Sequence, residues 1–166
     1  VAETVVDDDF EGAGNSAFRK LFGYIGGDNV KREEVAMTAP VSQVQSEKIA
    51  MTSPVAQQAT EGGWAVSFMM PSTYTMETSP QPTDDSVVIR QIPAYRAAAI
   101  RYSGFWSEKK YQEHLEKLNK WIDSNDYERL GEPVWARYDA PFKPWFMRRN
   151  EILIPVGETR AAAVAD

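Results

Sequence analysis

The residues best suited to contact a ligand lie together near the end of the chain. Eight consecutive positions hold three aromatic side chains, one Met and three cations: Phe142, Lys143, Pro144, Trp145, Phe146, Met147, Arg148 and Arg149. Rings and thioethers can cover the face of a flat apolar molecule, while Lys and Arg can pair with its carboxylates. A tetrapyrrole has this shape and these groups. The alternative interpretation is that the aromatic residues belong to the core and the cations only keep the loop soluble.

Metal and nucleophile chemistry is limited by composition, because the chain has no Cys and a single His, His114. Disulfides, thiolate metal centres and sites that need two imidazoles are therefore excluded. His114 follows Tyr111 by three positions and precedes Leu118 by four, so it borders the apolar face of a predicted helix. A partly buried structural His, an axial ligand to haem iron and a catalytic group are the three interpretations of this residue.

A glycine pattern near the start resembles a dinucleotide fingerprint. Gly12, Gly14 and Ala17 fit GxGxxA between a predicted strand and a predicted helix. However, the acids Asp7, Asp8, Asp9 and Glu11 stand where a pyrophosphate would bind, so we expect these glycines to shape a turn instead. No GxSxG-type signature indicates a nucleophile either.

Size and charge indicate one globular domain. The chain has 166 residues, of which 43% are hydrophobic and 25% charged, and its net charge is −6. Its cations are scattered, so nucleic acid is not an expected partner. No apolar run is long enough to span a bilayer, and we expect a soluble protein, either cytoplasmic or periplasmic. Because Val1 is not a natural start residue, we expect that residues once preceded it.

Two amphipathic helices must position these side chains. Phe18, Leu21, Phe22 and Ile25 recur at helical spacing and predict a helix over 16–25, which Gly26 and Gly27 end. A second helix is predicted over 107–122, with the apolar face Tyr111, Leu115, Leu118, Trp121 and Ile122. Strands are predicted over 1–6, 87–92 and 94–102.

The order of these elements repeats, which predicts two copies of one strand–helix–strand–strand unit. The copies cover roughly 1–80 and 85–156 of a single domain, and residues 157–166 form a tail. The linker 75–85 is expected to join them over the surface. Because the strand over 87–92 has no counterpart in the first copy, we expect that an N-terminal strand is missing. VAMTAPV over 35–41 and IAMTSPV over 49–55 predict a hairpin.

Several sequence blocks together resemble the SOUL haem-binding protein family, and in particular a bacterial member. The blocks are FRKLFGYIGGDN (18–29), VAMTAPV (35–41), FMMPSTYT (68–75) and ARYDAPFKPWFMRRNEILI (136–154). The resemblance implies an α+β fold: a distorted antiparallel β-barrel of two pseudo-symmetric halves with two flanking helices. It is similar to the effector-binding domains of bacterial multidrug-sensing regulators.

The resemblance also implies a function. The family binds haem and free porphyrins without covalent attachment, with proposed roles in transport, buffering or signalling, and no reaction is firmly attached to it. We therefore expect a tetrapyrrole partner and cofactor, bound weakly and in part substoichiometrically, to a monomer or weak dimer. The alternatives are a small hydrolase or isomerase using a buried Glu151, and a module that binds another flat hydrophobic ligand.

Carried over residue by residue, the family's site matches Asn15, Phe18 and Phe22 on the first helix and Lys143 in the loop. Asn15 and Gly23 stand where the family has basic residues, so propionates are expected to pair with Lys143 and with Arg148 or another arginine. Trp145 completes the expected binding set. No His matches the family's reported axial ligand, which leaves Met, Tyr, His114 or water for the iron.

Overall fold

The computed structural model describes residues 1–31 and 46–159. In these residues it contains two α-helices and ten strands, all paired antiparallel, which confirms the predicted α+β class. In chain order they are β1 (Ala2–Val6), α1 (Phe10–Gly26), β2 (Asn29–Val30), β3 (Val55–Thr60), β4 (Gly63–Phe68), β5 (Gln81–Pro82), β6 (Val87–Ile89), β7 (Ala97–Tyr102), α2 (Glu108–Ser124), β8 (Tyr127–Arg129), β9 (Val134–Arg137) and β10 (Asn150–Thr159).

The main sheet has the order β6-β1-β4-β3-β9-β10-β7, with β8 also paired to β10, while β2 and β5 form a separate pair. Strands β3 and β9 join the two halves of the chain at the centre of this order. The sheet does not close within the described residues, because β6 and β7 end the path and do not pair with each other. The expected barrel is therefore not confirmed.

Helix α1 begins earlier than its apolar spacing predicts. The carboxylate of Asp9 accepts a hydrogen bond from the Gly12 N–H at 2.6 Å and caps the helix before Phe10. Gly12 and Gly14 therefore lie inside α1, so the expectation that they shape a turn is wrong. At the other end Gly27, at φ 131°, donates its N–H to the Gly23 carbonyl and ends the helix.

The buried face of α1 also differs from the predicted one. Leu21 and Ile25 are buried as expected, but Phe18 and Phe22 are exposed. Their place in the core is taken by small residues and by two aromatic residues: Phe10, Ala13, Gly14, Ala17 and Tyr24. Because the small residues let α1 approach the sheet closely, the helix leaves two of its phenylalanine rings outside.

Helix α2 agrees closely with its prediction. Ser107 caps it by accepting from the Lys110 N–H, and Tyr111, Leu118 and Ile122 are buried. Trp121, predicted on the same face, is half exposed and stacks on Tyr127 instead. No helix in the described part of the chain is long and apolar enough to cross a membrane.

The strands predicted over 87–92 and 94–102 are shorter in the structure. Strand β6 ends at Ile89 and β7 begins at Ala97, and Pro93 between them has no N–H to donate to a ladder. Residues 35–41 of the predicted hairpin lie outside the described residues. The segment 49–55 is irregular up to Pro54 and joins β3 only at Val55, so the prediction of a strand there is wrong.

Each helix covers its own hydrophobic cluster. One cluster packs α1 against β1, β4 and β6, and the other packs α2 against β7, β9 and β10. Phe10 is the exception, because it starts α1 but is buried in the cluster of α2. Its ring contacts Trp64, Tyr111 and Trp135 at centroid distances of 5.2, 4.9 and 4.8 Å. The first helix is thereby anchored in both halves.

The buried tyrosine of α2 makes stability depend on alkaline pH. Burial raises the pKa of Tyr111 from 10.0 to about 12. Unfolding between these values releases a proton, so the free energy of unfolding falls as pH rises from 10 towards 12. We expect Tyr111→Phe to make this fall less steep by up to about 1.4 kcal/mol per pH unit, measured by urea unfolding from about pH 9 to about pH 11.5. Equal slopes in the two proteins would contradict the burial of this hydroxyl.

Candidate ligand-binding surface

The outer face of α1 carries two exposed aromatic rings. Phe18 is 38% exposed and Phe22 54%, and their rings stack with centroids 5.7 Å apart. Phe18 also meets the buried Phe68 edge-on at 5.3 Å, which fixes the pair against the sheet. Asn15 is exposed one turn earlier. These three predicted site residues therefore share one exposed strip of the helix.

The loop between β9 and β10 is shaped by its own polar groups. The carboxylate of Asp139 accepts from Lys143 Nζ and from the Arg149 N–H, both at 2.5 Å. The hydrogen bond from the Arg149 N–H is the main reason that the pKa of Asp139 is lowered, and the hydrogen bond from Lys143 is the next. Arg148 donates from Nε to the Lys143 carbonyl and from Nη2 to the Pro141 carbonyl. Lys143 is thus already paired with a carboxylate, whereas Arg148 donates only to carbonyl oxygens.

The aromatic side chains of this loop are exposed. Phe142 is 90% exposed, and Trp145, Phe146 and Met147 are each about half exposed. Trp145 stacks on the exposed Phe105, with centroids 5.1 Å apart, and its carbonyl accepts from the Gly104 N–H. The loop therefore forms a continuous apolar surface with the turn between β7 and α2.

Two residues that the sequence did not single out connect this loop to α1. Trp106 follows Phe105 and lies under two guanidinium groups, that of Arg148 at 4.6 Å from the ring centroid and that of Arg137 at 5.4 Å. Arg137 in turn lies against Gly14 of α1, where a Cβ atom would come within 2.9 Å of its Nη1. A line of contacts thus runs from α1 through Arg137 and Trp106 to Arg148.

Comparison with known proteins agrees with this arrangement of blocks. A family model described as "SOUL heme-binding protein" matches residues 1–155. The chain belongs to the SOUL haem-binding protein family. Similar curated relatives include Heme-binding protein 1 of Xenopus tropicalis, 27% identical over 143 residues that cover 86% of this chain and 70% of the relative. Heme-binding protein 1 of Mus musculus is 28% identical, with 89% and 74% covered, and Heme-binding protein 2 of Homo sapiens is 28% identical, with 91% and 74% covered.

Two of the SOUL sequence blocks have identifiable structural roles in this chain. The GYIGGDN block ends α1 and places Asn29, which is buried and makes three hydrogen bonds. Its Nδ2 donates to the carbonyls of Tyr24 and Glu47 at 2.7 and 2.8 Å, and its Oδ1 accepts from the Glu47 N–H at 2.9 Å. The ARYDAP block supplies Arg137 at the end of β9 and Asp139 at the start of the loop.

His114, the candidate axial ligand, packs within this SOUL fold. Its ring stacks on Tyr102 with centroids 4.0 Å apart, and Nδ1 lies 2.7 Å from the Lys110 carbonyl, to which it donates. The structure thus shows the structural contacts expected of a partly buried His. Within the described residues, no group of three His, Cys, Asp or Glu side chains could hold a metal ion. A role for His114 in binding iron stays a prediction.

A second concave surface of this SOUL chain lies away from these residues. A groove of about 940 Å³ runs along the face of the sheet opposite the helices and is lined by Met69, Met70, Met76 and Tyr74 among others. It contains none of the predicted site residues. Its arginine, Arg90, is paired with Glu3 at 2.5 Å, so the groove has fewer charges ready for a ligand than the Trp106 surface has.

Glu151 does not have the environment that a catalytic acid would need. Arg149 donates from Nε and Nη2 to its Oε1 at 2.8 and 2.6 Å, and the hydroxyl of Tyr138 donates to its Oε2. The carboxylate is therefore held in an ion pair. The hydrolase alternative required a buried Glu151 that could act as an acid, and the structure does not show Glu151 in that environment.

Proposed function

We propose that this protein binds haem or another tetrapyrrole without covalent attachment and without turning it over. The observation that carries this proposal is the exposed aromatic surface beside two arginines, Arg137 and Arg148, that pair with no carboxylate among the described residues. Membership of the SOUL family and the names of the relatives support it.

The proposed binding residues divide the work by chemistry. Phe18, Phe22 and Trp145 cover the face of the macrocycle by dispersion and ring stacking, and Asn15 borders it. Arg148 and Lys143 supply positive charge for its propionates, with Lys143 limited by its ion pair to Asp139. The residues present fit such a ligand, since flat rings and guanidinium groups stand side by side. Haem would supply an iron that can change its redox state, and His114 is the residue that we propose would hold this iron.

Titration of the purified protein with haemin and protoporphyrin IX tests this proposal. We expect a shift of the Soret band that saturates at one equivalent. Phe22→Ala should weaken binding about five- to tenfold, because it removes a stacking ring of roughly 1 kcal/mol or more. Leu130→Ala, which truncates another exposed apolar side chain, is the matched control and should bind as the unchanged protein does.

Two results would contradict this assignment. A Soret band that never shifts would remove tetrapyrrole binding altogether. Binding that survives Phe22→Ala but is lost in Met69→Lys would instead place the ligand in the groove on the other sheet face. That result would keep tetrapyrrole binding and overturn the surface proposed for it.

The finer expectations about the fold also remain proposals. We infer that residues 1–80 and 85–156 are two related halves of one domain, since each has a helix of 17 residues covering its own cluster. The likeness to multidrug-regulator effector domains, the barrel and the monomeric or weakly dimeric state belong to the same proposal.

A further inference from the structure

We propose that Arg137, Arg148 and the indole of Trp106 form a subsite that binds the carboxylate groups of the ligand. This inference rests on the proposed function and assigns the acid-binding role to Arg137, which lies outside the set of residues predicted from the sequence. The ligand class is a flat apolar molecule that carries carboxylates.

The guanidinium of Arg137 has no carboxylate partner in the part of the chain that the structure describes. Its Nη2 reaches only Gln57 Oε1, at 3.4 Å, and its Nε is buried with no hydrogen-bond acceptor. No carboxylate among residues 1–31 and 46–159 forms an ion pair with it. Burial lowers the pKa of this guanidinium to about 10, which still leaves it charged at neutral pH.

Such a group is costly for the fold. A buried charge without a counter-ion destabilises a protein, and stacking over aromatic rings offsets only part of this cost. Arg137 has that offset from Trp106 and from Trp135, which lies 4.8 Å from its guanidinium carbon. The remaining cost disappears when an anion is bound, so an anion is the group that this environment fits.

Arg148 packs on the same indole as Arg137. Its guanidinium lies 4.6 Å from the Trp106 centroid, and the indole Nε1 donates to Asn150 Oδ1 at 2.9 Å, which fixes the position of the ring. Both guanidinium groups are planar and can bind a carboxylate through two parallel hydrogen bonds. Two such groups that contact one indole suit a ligand with two acid groups.

The subsite lies next to the apolar surface of the loop, because Trp106 directly follows Phe105 in the chain. Phe105 precedes Trp106 and stacks on Trp145, and both rings are half exposed. A ligand whose acids reach the arginines therefore lays its apolar part on these rings. Lys143 is a weaker candidate, because Asp139 already neutralises it at 2.5 Å.

The test compares protoporphyrin IX with its dimethyl ester, both in the same dilute non-ionic detergent, using the full chain. Arg137→Gln and Arg148→Gln should each weaken binding of the diacid about tenfold and leave binding of the diester unchanged. Arg129→Gln, the matched control, removes an arginine outside the proposed surface that is already paired with Asp123 at 2.9 Å, and it should change the diacid affinity less than about twofold. Without ligand, Arg137→Gln should melt at the same temperature as the unchanged protein or higher, because it removes an uncompensated charge.

The outcomes separate this subsite from the proposed function. If the diacid binds Arg137→Gln and Arg148→Gln as tightly as the unchanged protein, the subsite is wrong while tetrapyrrole binding stands. An equal loss of diacid and diester would show that the arginines act only through the fold, which also overturns the subsite. If neither compound binds the unchanged protein, the proposed function fails and the subsite with it. Should Arg137→Gln fold poorly, Arg148→Gln and Arg137→Lys, which keeps the charge but loses the planar fork, decide the question by the same comparison.

Discussion

Phe10→Ala should lower the free energy of unfolding by about 3–5 kcal/mol. Phe10 is 4% exposed, and its ring is enclosed by Trp64, Tyr111 and Trp135. Three large rings that contact a common neighbour cannot collapse into the space it leaves, because each is held by other contacts. The substitution therefore leaves a cavity as well as removing apolar burial. Urea or guanidinium unfolding followed by Trp fluorescence measures the loss.

Phe22→Ala is the matched control, because it removes the same ring from the same helix. Phe22 is 54% exposed, so we expect a loss below about 1 kcal/mol. Phe10→Ala should therefore lose much of its stability, whereas Phe22→Ala should keep its stability and bind the ligand more weakly. Similar losses of stability in both variants would show that the burial pattern of α1 is wrong.

Asn29→Ala should cost about 2–4 kcal/mol, the second of the large effects. The side chain of Asn29 ties the end of α1 to the backbone at Glu47 through three hydrogen bonds in a buried site. Alanine leaves the Glu47 N–H and carbonyl without their partner. The unpaired groups carry the full cost of desolvation, which exceeds the net value of the bonds.

Asn125→Ala serves as the comparison for Asn29. Asn125 is exposed and its Nδ2 donates to the Trp121 carbonyl at the end of α2. Water can replace this bond, so we expect a loss of at most about 1 kcal/mol by the same unfolding measurement. A tolerated Asn29→Ala would mean that the segment around Glu47 does not depend on this amide.

Local signals in the sequence predict much of the fold. Ser107 as a cap and the spacing of Tyr111, Leu118 and Ile122 define α2, because capping and helical period act over a few residues. The prediction of the first helix is less accurate, because the residues buried on its core face include Ala13 and Ala17 and not the larger Phe18 and Phe22. Small residues give a weak hydrophobic signal, and only contact with the sheet shows that they are buried.

The binding surface is predicted only in part. The exposed loop aromatics follow from the sequence, because they stand in an unbroken run with Pro and cations. Arg137 and Trp106 do not, since their interaction with each other and with Gly14 joins residues that are distant in the chain. Gly14 inside a helix was the available signal: a glycine there often makes room for a neighbouring group.

The hydrogen bonds within the loop over 139–149 affect how fast a ligand can associate. Asp139 and Arg148 brace the backbone from within, so the rings of Trp145 and Phe146 are presented in a pre-organised state. Little conformational entropy then has to be lost on encounter. We expect association without a slow rearrangement, so that differences in residence time, rather than in arrival, set the affinity for different pigments.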